Sequence, residues 1–257
     1  MNIPLFSAFN LKKSFGGVVA VDDVSLGIQS GQVIGLIGPN GAGKTTCFNL
    51  ITGLYQPDTG QLFFQGKAYR PGSPHDVAKM GLARTFQNIR LFKSMTALDN
   101  VAVGMHSITR QGVLGSIFRT PAQQREEQEV KTKAMYWLNY VGIAAYSQHL
   151  AGQLSYGDQR RLEIARALAS EPLLLALDEP AAGMNATEKL KLRELLLQIR
   201  QDGKSILLIE HDVKLVMGLC DEVTVLDYGK VIAQGTPVEV QKNPVVIEAY
   251  LGGLHHG

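Results

Sequence analysis

Nine consecutive residues dominate the interpretation of this chain: Gly38-Pro39-Asn40-Gly41-Ala42-Gly43-Lys44-Thr45-Thr46. They match the pattern G-x-x-x-x-G-K-[ST] at every fixed position. The apolar, β-branched residues 32–37 before them predict a buried strand, and residues 45–52 predict a helix that ends before Gly53. This order of strand, glycine-rich loop and helix is the context in which the pattern holds phosphate, and it outweighs a plain turn that binds nothing.

The residue types explain how such a loop holds a polyphosphate. Glycines let backbone N–H groups approach its oxygens, and the helix N-terminus adds roughly half a positive charge. Lys44 adds a point charge for the β and γ phosphates, the Thr45 hydroxyl suits Mg²⁺, and Thr46 suits a further phosphate oxygen. We therefore predict that MgATP or a similar nucleotide is bound by Gly38, Pro39, Asn40, Gly41, Ala42, Gly43, Lys44, Thr45 and Thr46.

Size and composition indicate a globular protein with a substantial core. The chain has 257 residues, of which 45% are apolar and 19% charged. A formal net charge of +2 makes nucleic acid an unfavoured partner. We see no signal peptide and no run near the ~18 apolar residues of a membrane span, so we expect any work at a membrane to go through a partner. The only cysteines, Cys47 and Cys220, predict buried thiols in a reducing compartment.

The N-terminal segment predicts a small β layer beside the nucleotide site. Residues 5–12 and 20–29 alternate like strands around the turn signal Gly16-Gly17. Phe15 precedes that turn. Its ring suits stacking on adenine, and equally a hydrophobic plug in the β layer, so the spacing leaves both interpretations open.

Residues 88–153 differ in character from the α/β sequence on either side. A strand is predicted over residues 82–87, and then residues 97–106 and 120–140 predict helices, the second opening with an N-cap threonine and a proline. We expect a helical subdomain inserted into the core. Apolar residues within 107–119 suit a partner surface or packing back onto the helices, and the second is slightly favoured.

Polar residues follow three predicted strands, at the sheet edge where α/β proteins bind ligands. Gln87 ends one strand, Asp178 and Glu179 end a leucine-rich one, and His211 follows a third. Asp178 suits Mg²⁺, Glu179 suits a general base on the attacking water, and His211 suits the γ-phosphate or that water. Taken alone, Gln87 is better explained by a solvated strand end, and a lone histidine is more often structural, although the position of His211 at this edge favours function.

Ser155 and Gly157 stand before a helix predicted over residues 159–170. Small polar residues at a helix start suit an anion, although a capping serine by itself explains them. The remaining pattern predicts a helix over 188–200, a hairpin over 222–234 and a terminal helix over 243–251.

Together these motifs resemble the nucleotide-binding subunit of ABC transporters over essentially the whole chain. The resemblance rests on the loop at 38–45, Gln87, the sequence Leu154-Ser155-Tyr156-Gly157-Asp158, residues 174–179 and His211, in that order. It implies an α/β P-loop NTPase fold with an antiparallel β layer. It also implies one domain over residues 1–257, with the core in 1–87 and 154–257 and the helical subdomain in 88–153.

A narrower similarity is to the ATP-binding subunits of branched-chain amino acid importers. It rests on Arg84-Thr85-Phe86-Gln87-Asn88, Leu91-Phe92, Thr96-Ala97-Leu98-Asp99-Asn100 and Pro180-Ala181-Ala182-Gly183-Met184-Asn185. Urea and short-chain amide importers share much of this pattern, so they remain an alternative. So does an ABC ATPase that does not transport, although the chain has no paired nucleotide domain, coiled-coil insert or basic tail. A P-loop kinase would need neither Ser155 nor His211.

The resemblance implies a role for each site residue. Phe15 matches the aromatic residue that stacks on adenine, and Gln87 matches the Mg²⁺-sensing, partner-contacting glutamine. Glu179 matches the catalytic base, and His211 matches the γ-phosphate switch. The Ser155 and Gly157 positions match the signature that contacts ATP bound to the opposite subunit.

The resemblance also implies partners and a location. Two such subunits sandwich two ATP molecules, and their closure drives two membrane-spanning permease subunits whose cytoplasmic helices sit in a groove near residues 87–92. We therefore expect a peripheral protein at the cytoplasmic face of the inner membrane, served indirectly by a periplasmic substrate-binding protein. Whether the second ATP-binding subunit is identical stays open.

Three residues depart from the common ABC pattern. Tyr156 stands where glycine is usual, Asp158 where glutamine is usual, and Asn185 where aspartate is usual. These departures are consistent with a heterodimer whose two ATP sites are unequal, which we state as a hypothesis.

Overall fold

The computed structural model describes residues 3–70, 74–105 and 121–252. In this part of the chain the strands are β1 Phe6–Phe15, β2 Val18–Ile28, β3 Val33–Ile37, β4 Thr59–Phe64, β5 Lys67–Tyr69, β6 Leu82–Arg84, β7 Leu174–Asp178, β8 Ser205–Ile209, β9 Glu222–Asp227 and β10 Lys230–Gly235. The α-helices are α1 Lys44–Ile51, α2 Pro74–Lys79, α3 Ala97–Gly104, α4 Pro121–Tyr140, α5 Tyr156–Leu168, α6 Ala186–Gln201, α7 Val213–Leu219, α8 Pro237–Lys242 and α9 Pro244–Gly252.

The strands form two sheets. One is a four-stranded antiparallel layer in the order β2-β1-β4-β5, and the other has six strands in the order β10-β9-β3-β8-β7-β6. The pairs from β9 to β6 are parallel, and only the edge strand β10 runs antiparallel to its neighbour. The predicted P-loop NTPase class with a small antiparallel β layer is confirmed.

The six-stranded sheet is covered on both faces, which explains its leucine-rich strands. Successive side chains of a strand point to opposite faces of the sheet, so each strand contributes side chains to both buried clusters. On β7, Leu174 and Ala176 pack into a buried cluster with the β layer and α1. Leu175 and Leu177 pack into a second cluster that includes residues of α3, α4, α5 and α6. The carboxyl ends of β3, β7 and β8 are thereby held at one sheet edge.

The strand predicted over residues 82–87 is shorter in the structure. β6 ends at Arg84. The next residue makes one more hydrogen bond to β7, in which the Thr85 N–H donates to the Ala176 carbonyl at 2.9 Å. Gln87 therefore lies in an irregular segment beyond the strand. That part of the prediction was wrong because one buried side chain, that of Arg160 in α5, binds the next two carbonyls, those of Phe86 and Gln87.

Other expected elements are present with shifted bounds. The helix predicted from residue 159 begins at Tyr156, and the helix predicted over 97–106 is α3, which ends at Gly104. Among the described strands and α-helices, β5, α7 and α8 were not predicted, and neither were the short 3-10 helices Ala144–Tyr146 and Ala151–Gln153. The apolar residues within 107–119, and the N-cap threonine at 120, lie outside the described residues.

The helices of the predicted insertion do not have a separate core of their own. α3 and α4 share one buried cluster with α5 and with the sheet. The division at residues 88 and 153 therefore stays a prediction. No helix in the described ranges is long and apolar enough to span a bilayer.

Candidate active site

The glycine-rich loop joins β3 to α1, with Lys44 as the first residue of the helix. Lys44 is only 6% exposed, and its ammonium donates to the carbonyl oxygens of Gly38 and Pro39, both at 2.8 Å. Burial lowers the pKa of Lys44, and the charge of Glu179 opposes that shift. The predicted phosphate-binding cation is therefore held inside the loop, within the electrostatic reach of the acid.

The glycine-rich loop lies in close contact with the backbone of β2 and β9, which explains why two of its positions require glycine. Gly43 has a φ of +94°, and a side-chain carbon there would lie 2.2 Å from the Ala20 carbonyl oxygen in β2. The same carbon at Gly38 would lie 2.1 Å from the Leu226 oxygen in β9. Backbone approaches this close exclude any side chain. Around them, Ala42 is buried, Pro39 and Thr46 are half-buried, and Asn40, Gly41 and Thr45 are exposed.

Three predicted catalytic side chains meet at the carboxyl edge of the sheet. The Gln87 amide donates to Glu179 Oε2 at 2.9 Å, and His211 Nε2 lies 2.6 Å from Glu179 Oε1. Glu179 follows β7 with a left-handed φ of +46°, and its N–H donates to the Ile209 carbonyl at 3.0 Å. A non-glycine residue in that conformation is uncommon and concentrates at functional sites. The carboxylate is therefore oriented from both sides.

Asp178 provides a second acid of different character beside Glu179. Its side chain is buried, and burial raises its pKa, while the Arg84 charge lowers it and Glu179 raises it further. The predicted metal-binding set adds the exposed hydroxyl-bearing Thr45 and the amide of Gln87. Carboxylate, hydroxyl and amide oxygens are hard donors of the kind that Mg²⁺ takes together with phosphate oxygens. The residues present fit that ion.

Phe15 lies at the end of β1, where its ring is 42% exposed. The ring packs edge-on against Tyr55 with centroids 5.3 Å apart, and the Lys13 ammonium lies 5.6 Å from its centre. Phe15 is therefore not a fully buried core residue, and its stacking on adenine stays a prediction.

Ser155 and Gly157 lie at the start of α5, where Ser155 is exposed. The Ser155 hydroxyl donates to Asp158 Oδ2 at 2.7 Å and accepts the Asp158 N–H at 3.2 Å. Gly157 is buried, and a side-chain carbon there would lie 2.7 Å from Glu188 Oε1. Among the described residues, no hydrogen bond joins Ser155 to the loop at 38–46. One chain thus assembles the loop with Gln87, Glu179 and His211, and separately presents Ser155.

Comparison with known proteins gives the family. The sequence profile of the family described as ABC transporter matches residues 21–182. The chain belongs to the ABC transporter family. A second profile, described as branched-chain amino acid ATP-binding cassette transporter, matches residues 230–256, so the two together extend into the C-terminal helices.

Full-length ABC relatives are similar along the whole chain. The high-affinity branched-chain amino acid transport ATP-binding protein BraF of Pseudomonas aeruginosa is 45% identical, over 98% of this chain and 99% of BraF. LivG of Salmonella typhimurium, with the same description, is 44% identical over the same shares. A crystal structure of the ADP conformation of an ABC transporter ATP-binding cassette superposes with a TM-score of 0.85 at 32% identity, covering 98% of this chain and 100% of that one.

The three departures from the usual ABC pattern each have a local structural partner. Asp158 holds the Ser155 hydroxyl and pairs with Arg161, so it orients the signature serine. Tyr156 lies against Gly183, 3.3 Å from the position of a side-chain carbon there. Asn185 caps α6 in a reciprocal capping box with the first-turn glutamate.

Sequence reasoning missed Glu210, the residue before His211. Its carboxylate is buried and accepts N–H groups from Ala181 at 2.7 Å, His211 at 3.0 Å and Asp212 at 3.3 Å. Burial raises its pKa, and these backbone bonds lower it. Glu210 thereby fixes the backbone that carries His211. An acid directly between a buried strand and a candidate histidine was the available signal.

Proposed function

We propose that this chain is the ATP-binding and ATP-hydrolysing subunit of an ABC importer for branched-chain amino acids. The observation that carries the proposal is the Glu179 carboxylate, set between the Gln87 amide and the His211 ring beside the phosphate loop. Each carboxylate oxygen has two lone pairs, so both contacts leave room to accept a proton from water. Glu179 then acts as the general base, and Gln87 and His211 position it and the γ-phosphate.

The other roles follow from the surrounding geometry. Residues 38–46 cradle the triphosphate through backbone N–H groups and the Lys44 ammonium, and Phe15 stacks on the adenine. Thr45, Gln87 and Asp178 hold Mg²⁺ together with phosphate oxygens, and the ion supplies neutralisation of charge on the phosphates. The raised pKa of Asp178 reflects a buried anion that such a cation would stabilise.

A second ATP-binding subunit completes each site. Ser155 and Gly157 lie at the start of α5 and make their described contacts within α5 and with Glu188. A helix N-terminus with an oriented hydroxyl suits a phosphate presented by another subunit. We therefore place these two residues against ATP held by the opposite loop, in either a homodimer or a heterodimer.

Two permease subunits are the proposed membrane partners, and one groove suits them. The cavity of about 340 Å³ lies between the core and the helical region, lined by apolar residues with arginines among them, including Leu54, Val77, Arg84, Phe86, Phe92 and Arg166. Such a mixed groove near Gln87 fits a short cytoplasmic helix of a permease. The chain then works at the cytoplasmic face of the inner membrane, and a periplasmic substrate-binding protein acts on it only through the permeases.

The substrate class is supported by the relatives. BraF and LivG are described as branched-chain amino acid transport ATP-binding proteins and align along nearly the whole chain. The C-terminal profile that matches residues 230–256 carries the same substrate in its description. The assay below distinguishes this substrate from the alternatives, which are an importer of urea or a short-chain amide and an ABC ATPase that does not transport.

The test is ATP turnover in vesicles that hold the complete transporter. We expect leucine with its binding protein to stimulate turnover, and Glu179→Gln to bind ATP while turnover falls by about 10²- to 10⁴-fold. The matched control is Glu171→Gln, another glutamate with a left-handed backbone, whose carboxylate lies 3.7 Å from Lys133 on the surface. Normal turnover by Glu179→Gln would refute the base assignment, and stimulation by urea or an amide instead of leucine would refute the substrate.

A further inference from the structure

A fully buried arginine on α5 reaches across to the backbone that carries Gln87. The Arg160 side chain is 0% exposed, and its guanidinium donates to the carbonyls of Phe86 at 2.7 Å and Gln87 at 2.8 Å. It also donates to Glu163 Oε2 at 2.8 Å, while its Nε has no hydrogen-bond partner in the structure. Two nitrogens of the planar guanidinium thus donate to the carbonyls of two successive residues.

Glu163 holds the same segment from the donor side. Its side chain is 1% exposed, and Oε1 accepts the Arg90 N–H at 3.2 Å, with the Phe86 N–H at the limit of 3.5 Å. The ion pair therefore binds both carbonyl and N–H groups of residues 86–90. Residues 86–90 follow β6 and form neither strand nor helix, so the hydrogen bonds to Arg160 and Glu163 attach this segment to α5.

A buried ion pair is a poor source of stability, because taking both charges out of water offsets much of their attraction. An apolar pair would fill the same space. What the ions provide is a defined geometry, since a planar guanidinium and a carboxylate accept only one arrangement of the neighbouring backbone. The pair is thus better explained by positioning than by packing.

The location of the pair connects the two halves of the site. α5 begins next to Ser155, and Arg160 lies five residues further on, roughly 7.5 Å along the helix axis. The segment that Arg160 binds, residues 86–90, also carries the Gln87 side-chain amide, which donates to Glu179. A displacement of α5 would therefore move the Gln87 backbone with it, because an α-helix of this length shifts as a rigid element.

We propose that Arg160 and Glu163 are positioning residues that couple engagement of Ser155 by the opposite subunit's ATP to the placement of Gln87 on Glu179. The inference rests on the proposed function, since it requires a second ATP-binding subunit. In this arrangement a lone subunit binds ATP at its own loop and already holds the Gln87 amide on Glu179, and closure of the pair restrains the backbone that carries Gln87 through α5.

The test compares the parent with Arg160→Met/Glu163→Leu, each purified with its partner ATP-binding subunit. Amide hydrogen exchange at residues 86–90 is measured with and without a hydrolysis-resistant ATP analogue and Mg²⁺. In the parent we expect the analogue to slow this exchange about tenfold. In the double variant we expect analogue affinity within about threefold of the parent, no slowing of exchange, and a kcat lower by about tenfold with KM little changed.

The matched control is Arg193→Met. Within residues 3–70, 74–105 and 121–252, the Arg193 guanidinium donates only to the Gly218 carbonyl, at 3.1 and 3.3 Å. This variant should behave like the parent. If the double variant fails to fold, Arg160→Lys replaces it, because an ammonium keeps the charge but not the fork, and the slowing should fall about threefold.

Slowing of exchange at residues 86–90 that is the same in the parent and the folded variant would overturn the inference, and so would an unchanged kcat. A parent pair that binds the analogue but never hydrolyses ATP would refute the proposed function instead, and the exchange comparison would still decide whether the pair couples α5 to Gln87.

Discussion

Replacing Gly43 by alanine should damage nucleotide binding far more than it damages the fold. The added carbon would lie 2.2 Å from the Ala20 carbonyl oxygen, whereas even tight contacts of such carbons lie at 3.0–3.4 Å. The loop must therefore retreat from β2 by roughly 1 Å, the difference between those distances. A left-handed backbone adds about 1–2 kcal/mol of strain for any residue with a side chain.

A shift of about 1 Å at a preorganised site typically lowers activity by roughly 100-fold. Because the loop's N–H groups must converge on the same phosphates, we expect Gly43→Ala to raise the Kd for MgATP by about 100-fold, or about 2.7 kcal/mol. The assay is titration of the purified chain with a fluorescent ATP analogue, alongside thermal unfolding without nucleotide.

Gly31→Ala is the control that separates the strain of a left-handed backbone from the steric clash with the Ala20 carbonyl. Gly31 also has a left-handed φ, +74°, but nothing lies within 4 Å of a side-chain carbon there. It should lose a similar 1–2 kcal/mol of stability, yet keep nucleotide affinity within about threefold. If Gly43→Ala binds ATP as tightly as Gly31→Ala does, the argument from the loop's contact with β2 is refuted.

Three further predictions concern residues around the site. Burial raises the pKa of Asp178 above its ordinary 3.8, so the ionised carboxylate opposes folding at pH 7. Asp178→Asn should therefore raise the free energy of unfolding at pH 7 by about 1 kcal/mol, measured by urea denaturation. This gain should shrink as the pH falls through the raised pKa of the folded state toward 3.8. Asn185→Ala should lower stability by about 1 kcal/mol, seen as a Tm lower by about 2–4 °C, because the α6 cap is lost, and unchanged stability would contradict the capping box. Burial raises the pKa values of Cys47 and Cys220 to about 12, so neither should react with a maleimide at pH 7.5 until urea unfolds the chain, and rapid labelling of the native protein, read by mass spectrometry, would contradict their burial.

Residue type and strand order together predicted which polar side chains lie near one another at the sheet edge. Glu179 and His211 end neighbouring parallel strands, and parallel pairing brings their carboxyl ends to one edge whatever the loops do. Gln87 was expected for the same reason, but its strand ends at Arg84. Its amide nevertheless reaches Glu179, at 2.9 Å, because side chains of α5 hold its backbone there. Periodicity carries no information about such a contact.

Sequence patterns alone predicted the phosphate loop, the α/β class with a small antiparallel β layer, and the acids at the sheet edge. Each depends on local patterns: glycines at fixed spacing, apolar runs of strand length, and polar residues where those runs stop. These features are read within a few neighbouring residues, so no knowledge of distant contacts was required.

The contacts that hold these residues in place are seen only in the folded chain. The tertiary structure brings Arg160 to the Gln87 carbonyl and Glu163 to the Arg90 N–H, each 73 residues away in sequence. It also places the Glu210 carboxylate at the His211 N–H and brings Gly43 close to the Ala20 carbonyl. These contacts join segments that no local pattern relates. Each depends on burial and on directional hydrogen bonds that form only once the sheet and helices have packed.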